Sequence, residues 1–168
     1  MRKRLISLNV LIMIFILFSQ NLAIADPILP ITKITPGAIN LAVTQSNIST
    51  TICKSGWTAT IRPSSSYTSK LKKGQLSGTY SYYSNKVMGD YEEDHLISLQ
   101  LGGSPTSVKN LWPQPYAGSI GARAKDQVET KLKRLICAGK ITLKTAQLAI
   151  ASNWYQAYLQ YIKKAQNK

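Results

Sequence analysis

Apolar residues recur at helical spacing only in the last third of the chain. Val128, Leu132, Leu135 and Ile136 stand at i, i+4, i+7 and i+8, which predicts a helix from Ala122 to Ala138 closed by Gly139 at its C′ position. Thr142 is a candidate N-cap for a second helix. Leu143, Ala146, Ile150, Trp154, Ala157 and Tyr161 would line its buried face, with Lys163 and Lys164 at the end where the helix dipole favours cations. Upstream the pattern shortens. From Thr50 to Arg62, Ile52, Trp57, Thr58, Thr60 and Ile61 predict a strand that stops at Arg62-Pro63, with a loop at Ser64-Ser65-Ser66. Leu96, Ile97, Leu99 and Leu101 predict a strand leading into the core, then a sharp turn at Gly102-Gly103-Ser104-Pro105 and a short returning strand at Asn110-Leu111-Trp112. Residues 26–50, rich in Pro, Thr, Asn and Ser, predict an extended arm with a short helical turn near Pro36. The expected class is therefore α+β, with a strand-rich N-terminal extension and two C-terminal helices.

One apolar run stands apart. Leu5 to Phe18 follows the basic Arg2-Lys3-Arg4 and precedes Ala23-Ile24-Ala25, the small-x-small pattern of a cleavable export signal. Residues 1–25 are therefore expected to be removed. Residue 26 is Asp, so a lipid-attachment cysteine is missing, and no second run of spanning length predicts stable membrane insertion after cleavage. The remaining 143 residues suit a single domain, 26–168. The expected destination is the periplasm or the exterior.

Charge narrows the partners. The chain carries 21 Lys and Arg against 7 Asp and Glu, a formal net charge of +14, and +11 once the three basic residues of the signal are gone. Such an excess fits a polyanion, with nucleic acid as the sharp reading and an anionic envelope as the bland one. Between Ser66 and Lys86, four tyrosines mix with Lys70, Lys72, Lys73 and Lys86. That stretch reads either as a strand pair with a solvated lysine face or as a basic surface with aromatic platforms for bases. Trp57, Trp112 and Trp154 sit in apolar contexts and are expected in the core. The two cysteines, Cys53 and Cys137, are expected to pair in an oxidising compartment; no further thiol or nearby histidine would complete a zinc site.

Chemistry concentrates at one place. Asp90, Glu92, Glu93 and Asp94, four of the seven acids, immediately precede His95, the one histidine of the chain. Carboxylates gathered this way repel one another unless a cation or solvent relieves them, and a hard divalent ion is one candidate.

The stretch Tyr91-Glu92-Glu93-Asp94-His95-Leu96-Ile97-Ser98-Leu99, with Leu101-Gly102-Gly103 and Asn110-Leu111-Trp112-Pro113, resembles the HNH or His-Me finger nucleases, and specifically a group of exported HNH-like proteins. The likeness extends to Thr51-Ile52-Cys53, Gly56-Trp57, Arg62-Pro63, Lys125-Asp126, Glu129, Cys137-Ala138-Gly139 and Trp154. It implies a ββα-metal core over about residues 88–138 and a metal-dependent endonuclease that hydrolyses phosphodiester bonds, of DNA ahead of RNA. His95 would be the general base, Asp94 an acidic metal ligand and Asn110 the residue that fixes the finger. The implied ion is Mg²⁺, with Mn²⁺ or Ca²⁺ as alternatives. The family closes its motif with a helical His or Asn at the metal, where this chain offers Asp126 and Glu129, of which Asp126 is the preferred ligand. Arg62, Lys109, Arg123 and Lys125 are the expected phosphate contacts. The competing expectation is a non-catalytic envelope or polyanion-binding protein that retains the finger as scaffold.

Overall fold

The computed structural model describes residues 28–117 and 120–164; the export signal expected at 1–25 lies outside the described residues. Among those described, no helix is long and apolar enough to cross a membrane. In order along the chain come α1 (Trp57–Ile61), α2 (Ser65–Ser77), β1 (Tyr91–His95), β2 (Leu111–Pro115), α3 (Ala122–Cys137) and α4 (Leu143–Tyr158), so the fold is a mixed α+β one.

The C-terminal helices form where the periodicity placed them. Ala124, Val128, Leu132 and Ile136 of α3 are buried, and the helix ends in a Schellman turn: Lys140 N–H donates to Leu135 O (2.8 Å) and Gly139 N–H to Ile136 O (2.9 Å), with Gly139 at φ +67°. Thr142 Oγ1 caps α4 by accepting from Thr145 N (3.1 Å). At Asn153 the backbone leaves the helical region (φ −168°, ψ 98°), and its Oδ1 accepts from the amides of Tyr155 and Gln156 (both 3.0 Å), recapping the second half. This break, with a π turn over Leu159–Lys163, shifts the helical phase, so Tyr158 is buried where Tyr161 was expected.

β1 and β2 pair antiparallel in the register Tyr91↔Pro115, Glu93↔Pro113, His95↔Leu111. The strand expected beyond His95 is instead a tight turn and a single 3-10 turn at Leu99–Leu101, capped by Ser98 Oγ. Leu96, Ile97, Leu99 and Leu101 are all buried. A strand would have set Ile97, Leu99 and Leu101 on one face and Leu96 on the other, whereas the coiled path encloses all four. Asn110 locks the turn: Oδ1 accepts from Ile97 N, and Nδ2 donates to Ile97 O and Ser104 O, each at 2.9 Å. Gly103 passes so close that a Cβ there would lie 1.7 Å from Ile97 O, so no other residue fits.

The strand-rich N-terminal extension is corrected to a helical one. Thr58, Thr60 and Ile61 fall in the short α1, and the presumed serine loop is the start of α2, with Ser64 Oγ accepting from Tyr67 N (3.3 Å). The lysine- and tyrosine-rich segment splits between α2, which buries only Gln75 and Leu76, and the turns after it. Tyr80 and Tyr83 enter the core; Tyr80 shares a 2.7 Å hydrogen bond with Thr35 Oγ1, and Tyr83 stacks on Tyr91 at 5.4 Å. Trp112 and Trp154 are fully buried and Trp57 is partly buried against the same core. The Cys53–Cys137 disulfide joins the N-terminal part to the end of α3.

Candidate active site

Alternation along β1 sends Tyr91, Glu93 and His95 to one face and Glu92 and Asp94 to the other. The His95 ring, 7% exposed, is fixed by a 2.9 Å hydrogen bond between Nε2 and Pro105 O. A carbonyl only accepts, so Nε2 carries the proton and Nδ1 holds the lone pair of the neutral ring. Asn110 supports this contact through Ser104 O, one residue before the accepting carbonyl. Burial pulls the His95 pKa below the ordinary histidine range; the Pro105 bond opposes that, while Lys125 and Arg62 reinforce it. The ring is thus kept neutral, the form a base requires.

His95 lines a cleft of about 310 Å³ together with Arg62, Lys72, Glu92, Glu93 and Tyr116. Both Glu93 oxygens are buried with no hydrogen-bond partner, and burial, with Asp94 adding, raises its pKa to about 8 against the pull of Lys72. Glu92 is likewise raised, by burial and then by Asp126 and Glu129. Lys72 Nζ is committed to backbone, donating to Met88 O (2.8 Å) and Tyr91 O (2.6 Å). Arg62 is exposed and is the free cation among these lining residues.

Behind His95 lies a second group. Lys125, 1% exposed, donates to Asp94 Oδ2 (2.8 Å), Glu129 Oε1 (2.5 Å) and His95 O (2.8 Å). Trp112 Nε1 donates to Asp94 Oδ2 and Gln100 Nε2 to Glu129 Oε2, each at 3.2 Å. Burial raises the Asp94 pKa against the pull of Lys125, with Glu129 adding to the rise; burial alone would lower Lys125, but the two carboxylates outweigh it and keep the ammonium charged.

Several expected roles change. Lys125 is no phosphate contact, because its ammonium is enclosed. Asp126, the preferred helical ligand, is exposed and remains apart from Asp94, whereas Glu129 converges on it through Lys125. Arg123 lines an adjoining cavity that meets the His95 cleft at Tyr116, and exposed Lys109 lies on the loop before β2, outside the cleft lining. The set Asp94, Asp126 and Glu129 does not fit a divalent ion in this arrangement, and among the described residues no group of three or more His, Cys, Asp or Glu could hold one. Two unit charges about 4 Å apart repel by roughly 4 kcal/mol at an effective dielectric constant of 20, and a divalent ion beside the Lys125 ammonium doubles that.

Sequence reasoning missed Lys125 as an internal counter-charge. The signal was present: Lys125, Val128, Glu129, Leu132 and Ile136 are spaced as one helical stripe, which places both charges on the apolar face. Comparison with protein-family models, curated protein sequences and solved structures finds no match for this chain.

Proposed function

We propose that this chain is an exported phosphodiester hydrolase of nucleic acid, DNA ahead of RNA, built on a His-Me finger with His95 as general base. The observation that carries the reading is the hydrogen bond of His95 Nε2 to Pro105 O, which leaves Nδ1 as the proton-accepting nitrogen of a ring that lines a cleft. The order β1, β2, α3, with Asn110 bracing the intervening turn, supports the ββα comparison. In this mechanism Nδ1 takes the proton from a water as its oxygen attacks phosphorus, the opposite P–O bond to the sugar breaks and the departing oxygen takes a proton from solvent, while Arg62 holds a non-bridging phosphoryl oxygen and offsets its growing negative charge. The net charge of +14, or +11 without the expected signal, favours a phosphate backbone as the partner, and the disulfide is in keeping with export.

A second reading, a polyanion-binding protein without hydrolytic activity, is favoured by one observation: two of the three acids assigned to the ion, Asp94 and Glu129, are already paired with Lys125. The two part on cleavage of plasmid and single-stranded DNA by the oxidised protein, in Mg²⁺, in Mn²⁺ and in EDTA, beside a folded His95→Ala variant. Cutting that disappears in the variant supports the hydrolase. Salt-sensitive binding without cutting under any condition supports the binding protein.

A further inference from the structure

Lys125 Nζ has three N–H donors and meets three acceptors, one on each of Asp94, Glu129 and the His95 carbonyl. None is left for a ligand, and the group is closed to solvent. Around it the second carboxylate oxygens differ: Glu129 Oε2 is bonded, whereas Asp94 receives both of its bonds on Oδ2. Trp112 of β2 takes a further bond to Asp94, and Gln100 of the 3-10 turn takes the second Glu129 oxygen. One cation therefore gathers β1, β2, the turn between them and α3 around a single point. That point lies between Asp94 and Glu129, two of the three acids expected as ligands of an ion, and it abuts the peptide of the histidine.

We propose that Lys125 is the resident cation of this finger: its ammonium fills the place between Asp94 and Glu129, so no divalent ion is taken up there, and its bond to the His95 carbonyl positions the histidine. A lysine delivers one charge and three directed bonds, where Mg²⁺ would need near-octahedral oxygen ligands and retained water. The ammonium, 1% exposed and with all three donors used, already occupies the place where an ion bridging these carboxylates would sit. The positioning role rests on the hydrolase reading; the exclusion of an ion rests on the geometry alone.

The test uses the single histidine as its own reporter. In the oxidised protein, the thermal midpoint is expected to be the same in EDTA as in excess Mg²⁺, Mn²⁺ or Ca²⁺, because an ion that does not bind the folded state cannot stabilise it. The proton resonances of His95 should show no selective broadening by paramagnetic Mn²⁺ beyond that of exposed side chains. In Lys125→Met, the two carboxylates lose their cation, and Mn²⁺ or Ca²⁺ should raise a lowered midpoint; Lys125→Arg should stay indifferent to metal. For positioning, cleavage in EDTA should fall at least tenfold in kcat, with KM little changed, in Lys125→Met and return in part in Lys125→Arg. A Mn²⁺-dependent rise of the wild-type midpoint with selective His95 broadening, both abolished by Asp94→Asn, would overturn the proposal. Should Lys125→Met not fold, the wild-type midpoint and broadening still decide. Should no variant cut nucleic acid, the hydrolase reading fails while the metal measurements stand unaffected.

Discussion

The two faces of β1 carry the same kind of side chain in opposite conditions. On one, Asp94 meets Lys125 and Trp112, and every contact of the ammonium is made inside the protein. On the other, Glu93 has two buried oxygens with no partner, and His95 has one ring nitrogen committed and one left over, beside a cleft. Charge enclosed and balanced holds elements together, whereas an enclosed carboxyl without a counter-charge keeps its proton and an enclosed imidazole stays neutral. Adjacent residues separate these roles because a strand turns successive side chains to opposite sides.

Breaking the closed face should have the largest effect. Lys125→Met leaves two buried carboxylates facing each other and is expected to destabilise the fold by about 3–5 kcal/mol in urea titration, whereas an exposed lysine would shift it by roughly 0.5 kcal/mol or less. On the open face, His95→Ala, which removes a buried ring and its bond to Pro105 O, should cost about 1–3 kcal/mol, less than Lys125→Met, while lowering kcat by about 10² to 10⁴, the usual contribution of a positioned base. The pH profile sharpens this. Burial lowers the His95 pKa, so wild-type activity should persist through neutrality and fall only below the ordinary histidine range, as the ring gains a proton.

Glu93→Gln has a smaller effect with a defined sign. Between the ordinary carboxylate pKa and about 8, the folded protein keeps a proton on Glu93 that the unfolded chain has released. Wild-type stability therefore declines across that window as pH rises, and the variant should escape the decline, by about 1–3 kcal/mol at its upper end. The contrast between the faces would lose its basis if the two urea midpoints stayed parallel from pH 5 to about 9. The smallest effect belongs to Lys109→Ala: stability unchanged, and the slope of log affinity for DNA against log salt reduced by about one if the residue touches phosphate.

Legibility followed the strength of local rules. The α3 pattern repeats for four turns and ends at a glycine whose positive φ a Schellman turn demands, so helix and terminus were both readable. α2 was not, because Ser, Lys and Gly dominate it and only Gln75 and Leu76 are buried, leaving no stripe to detect. The run after His95 was readable as apolar but not as coiled, since Ile97, Leu99 and Leu101 alternate with Ser98 and Gln100 just as a half-buried strand would. In the site, the singularity of His95 was accessible from composition, and the Asn110 brace from the resemblance to the HNH nucleases. The fate of the cations was not. Lys125 and Arg62 look alike as letters, and only the helical phase of Lys125 with Val128 and Leu132 betrays that one is interior.

Cys53 and Cys137 enclose more than a length of chain. Arg62, Glu93, Asp94, His95, Asn110, Lys125 and Glu129 all lie between them, so oxidation makes the whole candidate site part of one covalent ring. A protease that nicks the exposed turn at Tyr116-Ala117 would open that ring without parting it. The fragment bearing His95 would remain tethered through Cys53 to the fragment bearing Lys125, free to re-pair as a single unimolecular object. Only a cut followed by reduction would separate them, so the molecule is held together by its connectivity as much as by its packing.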